Sequence, residues 1–204
     1  CFGHLLEQAE PDAYLPDDVP RTKKGSKVWR FEDLPIYPKN WKLLPKNDKG
    51  VKKQLATIGK LLKKASLVVH AGDPDREGQL LADEVLEHFR YTGRVQRFWV
   101  SAQDSASIRK GLTNLRDNET FDGMRLAALG RSRADWLLGM NLSRAYTLAQ
   151  QAQGKKELIA VGRVQTPTLA LVAKRDVAIR DLKPVPYFVI KARLGGGQPL
   201  TPGR

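Results

Sequence analysis

A short apolar run, Leu67-Val68-Val69-His70-Ala71, passes directly into the acidic turn Gly72-Asp73-Pro74-Asp75-Arg76-Glu77-Gly78, after which Leu81, Val85 and Phe89 recur at helical spacing. This stretch constrains the fold more than any other. A nearly continuous apolar run of five residues is expected of a strand covered on both faces, and so of a parallel sheet packed under helices. The turn then lies at the carboxyl end of that strand, where open α/β sheets usually carry their ligand sites.

The flanking chain supports the same class. Residues 1–50 hold Pro11, Pro16, Pro20, Pro35, Pro38 and Pro45, which break long elements and predict loops and short strands. Residues 52–64 predict a helix with Leu55, Ile58, Leu61 and Leu62 on its buried side. Residues 95–100 predict the next strand. Asp104 or Ser105 should cap a helix whose core side is Ile108, Leu112 and Leu115. This order predicts an α/β fold with a mostly parallel sheet flanked by helices over residues 1–121. A mainly helical second domain should fill residues 122–204, with helices over 124–140, over 141–151 and after Gly162. Thr166 would cap the last of these ahead of Pro167, and Leu169, Val172, Ala173 and Val177 would share its inner side. Residues 187–194 alternate like a strand. No apolar stretch approaches the ~20 residues of a membrane span.

Asp73 and Asp75 are two apart and can project to one side of an extended segment, with Glu77 just beyond. Such carboxylates repel one another unless a cation neutralises them. Mg²⁺ suits them, because it is held by a few carboxylates, waters and substrate phosphate oxygens. The same residues also make a good turn, with Asp75 capping the following helix. A third reading follows from Gly78 and Glu84, which stand at the offsets of an EF-hand calcium loop. Against it, the residues entering the turn spell a strand and not a helix.

Charge points to the partner. The net charge of +13 is divided as +6 over residues 1–64, −2 over residues 65–100 and +9 over residues 101–204. An acidic island between basic flanks favours a polyanion whose phosphates displace counterions on binding.

Four segments together resemble the type IA DNA topoisomerases. Asp73-Pro74-Asp75-Arg76-Glu77-Gly78-Gln79-Leu80-Leu81 is similar to their Toprim acidic motif, which primases and gyrase-type enzymes also carry. Phe98-Trp99-Val100-Ser101-Ala102-Gln103-Asp104 resembles the next strand and helix start in the topoisomerase III branch. Gly130-Arg131-Ser132-Arg133-Ala134-Asp135-Trp136-Leu137-Leu138-Gly139-Met140-Asn141 resembles the helix that follows, and Gly162-Arg163-Val164-Gln165-Thr166-Pro167-Thr168-Leu169 the Gly-Arg-Val-Gln segment. The resemblance implies a Toprim-like first domain and ATP-independent strand passage through a transient tyrosine–5′-phosphate link. It implies that Asp73, Asp75 and Glu77 hold Mg²⁺. It also implies that single-stranded DNA meets Arg131, Asp135, Arg163 and Gln165, with Arg133 and Arg76 as further contacts.

Arg131 and Asp135 share one helix face, so the acid either orients the guanidinium for phosphate or forms an ordinary helix salt bridge. Arg133 lies roughly 200° around the helix from Arg131. Arg76 faces either a phosphate or its acidic neighbours. His70 reads as a packed core residue, His4 and His88 show no partner from spacing, and Trp41 and Trp99 read as core before they read as base-stacking platforms.

Two parts of the family pattern are missing. No strand with the family's glutamate and lysine precedes Cys1, and none of Tyr14, Tyr37, Tyr91, Tyr146 or Tyr187 has a nucleophile's setting. The expectation is a piece of a longer bacterial protein, working in the cytoplasm on nucleoid DNA, that binds metal and DNA but does not cut. A non-cutting Toprim module is the alternative. Cys1 is the only cysteine, which leaves no disulfide framework and fits a reducing, intracellular setting.

Overall fold

The structure is a computed structural model, and it describes residues 3–189 of the 204. By contact density the chain divides into two units, Cys1–Arg163 and Val164–Arg204.

The first unit begins with a small antiparallel pair, β1 (Leu6–Gln8) against β2 (Leu43–Pro45), with Glu7 opposite Leu44. The loop between them is fixed by polar contacts. The buried Lys27 donates from Nζ to the carbonyls of Leu15 and Pro16, and its backbone N–H reaches Asp12. Helix α1 (Lys49–Leu62) follows, its N-cap Asp48 accepting from the Val51 N–H. Its inner face carries Val51, Leu55 and Gly59, with Ile58 packed beside them, whereas Leu61 is exposed. The inner arc therefore sits closer to the helix start than the sequence periodicity suggests. Val51 and Leu55 join Leu5, Leu6 and Val85 in the core cluster, where each aliphatic side chain contributes about 1.5–3 kcal/mol of burial.

Strand β3 (Leu67–His70) runs parallel to β4 (Arg94–Arg97), with α2 (Arg76–His88) as the crossover. The expected parallel unit is present, but the sheet is mixed: β5 (Arg116–Asp117) joins β4 antiparallel. Nor is β3 covered on both faces. Leu67 and Val69 are 43% and 42% exposed, while His70 on the opposite side is buried and bonded to α2. Apolar β-branched residues suit a strand whether one face is covered or two, so the run alone could not decide.

Helix α3 (Ser105–Thr113) is capped by Asp104, which accepts from the Ala106 and Ser107 N–H groups. Ile108 and Leu112 are exposed, and Gly111 is the buried residue of this helix. A Cβ there would stand 2.3 Å from the Val100 side chain and 2.7 Å from the Phe98 ring. The helix thus meets the residues after β4 through its backbone, and not through the expected leucine stripe.

Helix α4 (Asp122–Ala152) is continuous through Asn141, where two helices were expected. Asn141 does not break it, because its amide is used elsewhere: Oδ1 accepts from Ile36 N–H and Nδ2 donates to Ile36 C=O. Trp136 is buried against Tyr14 and Trp41 in edge-on contacts, and its indole N–H donates to Ala9 C=O. Further along α4, Ser143 and Thr147 bond both backbone groups of Val161 and Ile159 respectively. One helical turn of four residues rises about 6.0 Å and two extended residues about 6.6 Å. The extended segment can therefore run antiparallel along α4, two residues per turn. Continued for one more turn, this register brings Arg163 beside Gly139, and its side chain reaches the next turn of α4 to pair with Asp135.

The second unit contains α5 (Gln165–Arg180). It starts earlier than expected: Val164 is the N-cap residue, and Thr168 donates its hydroxyl to Val164 C=O. Thr166 is thus inside the first turn, where Pro167 is tolerated because its missing N–H has no helical partner there. Leu169, Val172 and Val177 are exposed. Tyr187–Val189 have no strand structure, and the rest of the expected strand at 187–194 lies outside the described residues. Among the described residues no helix is long and apolar enough to cross a membrane.

Candidate functional site

The acidic turn leaves the end of β3 and closes on the start of α2 through a backbone contact. A Cβ on Gly78 would lie 2.4 Å from Asp73 C=O oxygen and 2.7 Å from Asp73 N, so only glycine lets the two segments meet. Asp75 is the N-cap of α2, its Oδ1 accepting from the Gly78 N–H at 2.7 Å. The capping role expected of Asp75 is thereby present. Asp73 and Asp75 are exposed and Glu77 is half-buried. Arg76 is exposed in the first turn of α2.

Beneath the turn lies a residue the sequence did not single out. Arg97, at the end of β4, is 0% exposed. Its Nε donates to Gln79 Oε1, one terminal nitrogen to the carbonyls of His70, Gly72 and Phe98, and the other to the carbonyl of Asp73 at 2.6 Å. The guanidinium also lies 4.8 Å from the Trp99 ring centre. Burial pulls its pKa down, and the charges of Asp83, Asp73 and Asp75 oppose that shift. Gln79, Asp83 and Asn118 complete the buried polar layer through mutual hydrogen bonds. His70 is a packed residue, as expected: Nδ1 accepts from Gly72 N–H, which leaves Nε2 to donate to Gln79 C=O. Burial lowers its pKa and keeps it neutral.

On the outer side a line of charges leads away from the turn. Glu77 stands 3.9 Å from Arg131, Arg131 3.8 Å from Asp135, and Asp135 accepts two hydrogen bonds from Arg163. Four of the predicted site residues are thereby brought together. Asp135 is held chiefly by Arg163, which lowers its pKa, and the looser Arg131 keeps donors for another anion. His4 joins from the other end, its Nδ1 3.1 Å from Glu84 and its Nε2 3.9 Å from Glu77. The bond to Glu84 raises its pKa against a partial burial penalty. His4 and Glu84 are 80 positions apart, so spacing could not pair them.

Arg133 stands apart from this line, on another face of α4 and 5.2 Å over the Trp41 ring. Gln165 belongs to the second unit, where it opens α5.

Among the described residues no three His, Cys, Asp or Glu side chains converge as a metal cage. Asp75 is turned to its cap, and Glu77 stands near Arg131 and His4. The donor set nevertheless fits Mg²⁺, which takes one or two carboxylates and completes its shell with water and phosphate oxygens. It does not fit an EF-hand. The turn is entered from a strand, and Glu84 is buried within α2 on His4.

The family described as Toprim domain matches residues 1–102, and the family described as DNA topoisomerase matches residues 119–201. A protein named DNA topoisomerase 3 from Pasteurella multocida is 43% identical over 203 residues, covering 98% of this chain and 30% of that protein. Another of that name from Vibrio cholerae is 47% identical over 196 residues, covering 94% and 29%. The solved full-length topoisomerase I from Thermotoga maritima aligns with a TM-score of 0.55 and 25% identity, over 89% of this chain and 26% of that one. The chain thus spans under a third of the length of the curated relatives it matches.

Proposed function

Because this chain belongs to the type IA DNA topoisomerases, on the side of its DNA topoisomerase 3 relatives, we propose that it supplies the metal-binding and strand-holding half of a Mg²⁺-dependent, ATP-independent cut-and-reseal site. The observation that carries this reading is the line from the exposed carboxylates of the turn through Glu77, Arg131 and Asp135 to Arg163. It sets guanidinium donors beside acidic oxygens at the end of a strand, as a phosphodiester requires.

In the proposed reaction a tyrosine from outside this segment attacks a backbone phosphorus. A P–O bond to the 3′ oxygen breaks, and the 5′ phosphate stays on the tyrosine. The released 3′ hydroxyl later reverses the attack, so no nucleotide is consumed. Asp73 and Asp75, with Glu77, would hold Mg²⁺, which supplies charge neutralisation at the phosphate. Arg131 offers its donors to a neighbouring phosphate oxygen, while Asp135 fixes Arg163 in a bidentate pair. Arg76, Arg133 and Gln165 extend the contact with single-stranded DNA. On this reading residues 1–121 form the metal-bearing domain and 122–204 the start of the DNA-binding helices. The work is done in the bacterial cytoplasm on chromosomal DNA.

The test is relaxation of negatively supercoiled plasmid with Mg²⁺ and no ATP. It compares a full-length protein carrying this segment, its Asp73→Ala/Asp75→Ala variant, and the 204-residue chain alone. Relaxation by the full-length protein only is expected. Binding of single strands without any change in linking number would replace the reading with a non-cutting Toprim module.

A further inference from the structure

The charge of this chain is not concentrated at the site just described. Between residues 49 and 66 there are six lysines and no acidic residue. At about 100° per residue, Lys49, Lys52, Lys53, Lys60 and Lys63 fall within an arc of about 100° on α1, and Lys64 follows on the next turn. All six are exposed. The inner residues Val51, Leu55 and Ile58 occupy the opposite arc, and the buried Gly59 borders the lysine face. Among the described residues none of these lysines makes a salt bridge, and the one ammonium with a hydrogen-bond partner is that of Lys52, on Asn47.

A purely structural helix would not be built this way. Like charges three and four apart weaken a helix. Lys49 and Lys52 also stand in its first turn, where the backbone dipole disfavours cations. Among the described residues the acidic group at this end is the N-cap Asp48, which is bonded to the Val51 N–H and not to a lysine.

A second cation stands at a conformationally costly position beside the far end. Arg90 has φ of 51°, in the left-handed region. It closes α2 through Arg90 N–H to Glu87 C=O at 2.9 Å and Tyr91 N–H to Leu86 C=O at 3.0 Å. That is the helix ending at which glycine is the usual residue. Arg90 and Lys63 line the same groove.

We propose that the lysine face of α1, with Arg90 at its end, docks the phosphate backbone of a second DNA segment, distinct from the strand held at the acidic turn. The face runs about 21 Å from Lys49 to Lys63, equal to the axial rise of about six base pairs of a duplex. It is turned away from the acidic turn: Gln54 and Ile58, on the other side of α1, share a cavity with Gly72, Asp73 and Gly78. One strand at the turn therefore does not occupy both surfaces. The proposal rests on the functional reading above for the identity of the polyanion.

The test uses the whole 204-residue chain, a short labelled duplex and a labelled single strand, titrated between about 50 and 200 mM salt. Lys53→Gln/Lys60→Gln/Lys63→Gln should make the duplex salt slope shallower by about 2.7, three contacts at ~0.9 each, and leave single-strand binding unchanged. Arg90→Gly should weaken duplex binding while raising thermal stability, which separates lost contact from lost fold. An unchanged slope in the triple variant overturns the proposal, as does an equal loss of duplex and single-strand binding. Loss of binding to phosphatidylserine vesicles with duplex binding intact also overturns it, in favour of a membrane surface. In the full-length protein Asp73→Asn/Asp75→Asn should abolish plasmid relaxation and leave this duplex binding in place, so the two readings fall separately.

Discussion

Replacing Arg97 by lysine keeps the charge and most of the volume, so it isolates what the guanidinium geometry does under the acidic turn. In the native protein three nitrogens of Arg97 serve five acceptors: Gln79 Oε1 and the carbonyls of His70, Gly72, Phe98 and Asp73. An ammonium offers three donors from a single nitrogen. The carbonyls of His70 and Asp73 keep the backbone N–H groups of Phe98 and Asp75, so Gln79 Oε1 and the carbonyls of Gly72 and Phe98 are the acceptors that depend on Arg97. One nitrogen cannot stand where Nε and a terminal nitrogen both do, so at least one of these three loses its partner. A buried acceptor left unsatisfied costs about 1–3 kcal/mol, which sets the expected destabilisation. Against a total of about 5–15 kcal/mol for a domain, that is a large share. Urea unfolding followed by tryptophan fluorescence is the assay, since Trp99 lies 4.8 Å from the guanidinium and reports on it directly. Arg94→Lys, an exposed change on the same strand, should stay within about 0.5 kcal/mol. A loss below ~1 kcal/mol for Arg97→Lys, equal to the Arg94 control, would refute the claim that this side chain fastens the turn.

Gly78→Ala puts a Cβ 2.4 Å from the Asp73 carbonyl oxygen; a loss of about 1–3 kcal/mol is expected, and an unchanged melting temperature would contradict the close contact. Asn141→Ala gains helix propensity but loses both bonds to Ile36, for a net cost of about 1–2 kcal/mol, readable in the same urea assay. For His4 the folded pKa is raised by Glu84. Its contribution to stability is therefore complete below the unfolded value of about 6.5 and is lost as pH rises through the higher folded value. Unfolding midpoints measured on either side of that window should differ in the native chain and converge in Glu84→Gln; persistence of the difference would assign it to another group.

Much of the site could be read from local sequence. The Asp75 and Asp104 caps, the strand before the acidic turn and the helix after it all depend on residues within four positions of one another. The line from Glu77 through Arg131 and Asp135 to Arg163 was legible only as separate motifs, because spacing places Arg131 and Asp135 on one helix face but says nothing of Arg163. The β3 run and the α3 leucines misled for a common reason. Apolar spacing reports which residues could be buried, and the packing partner decides which of them are.

Arg97 and His4 mark the boundary most clearly. Residues 95–100 read as a strand, but nothing in them marks Arg97 as its buried end, since four of its five acceptors are backbone carbonyls, which leave no trace in a sequence. His4 finds Glu84 only when β1 and α2 enter one core. The sequence by itself determined the order of the elements, the acidic turn and the chemistry of its carboxylates, since those follow from short-range propensity and residue type. The tertiary structure alone decided which charges are paired, which are buried and which stay free for a phosphate. Electrostatic and desolvation energies depend on distance in space, and the chain sets those distances only by folding.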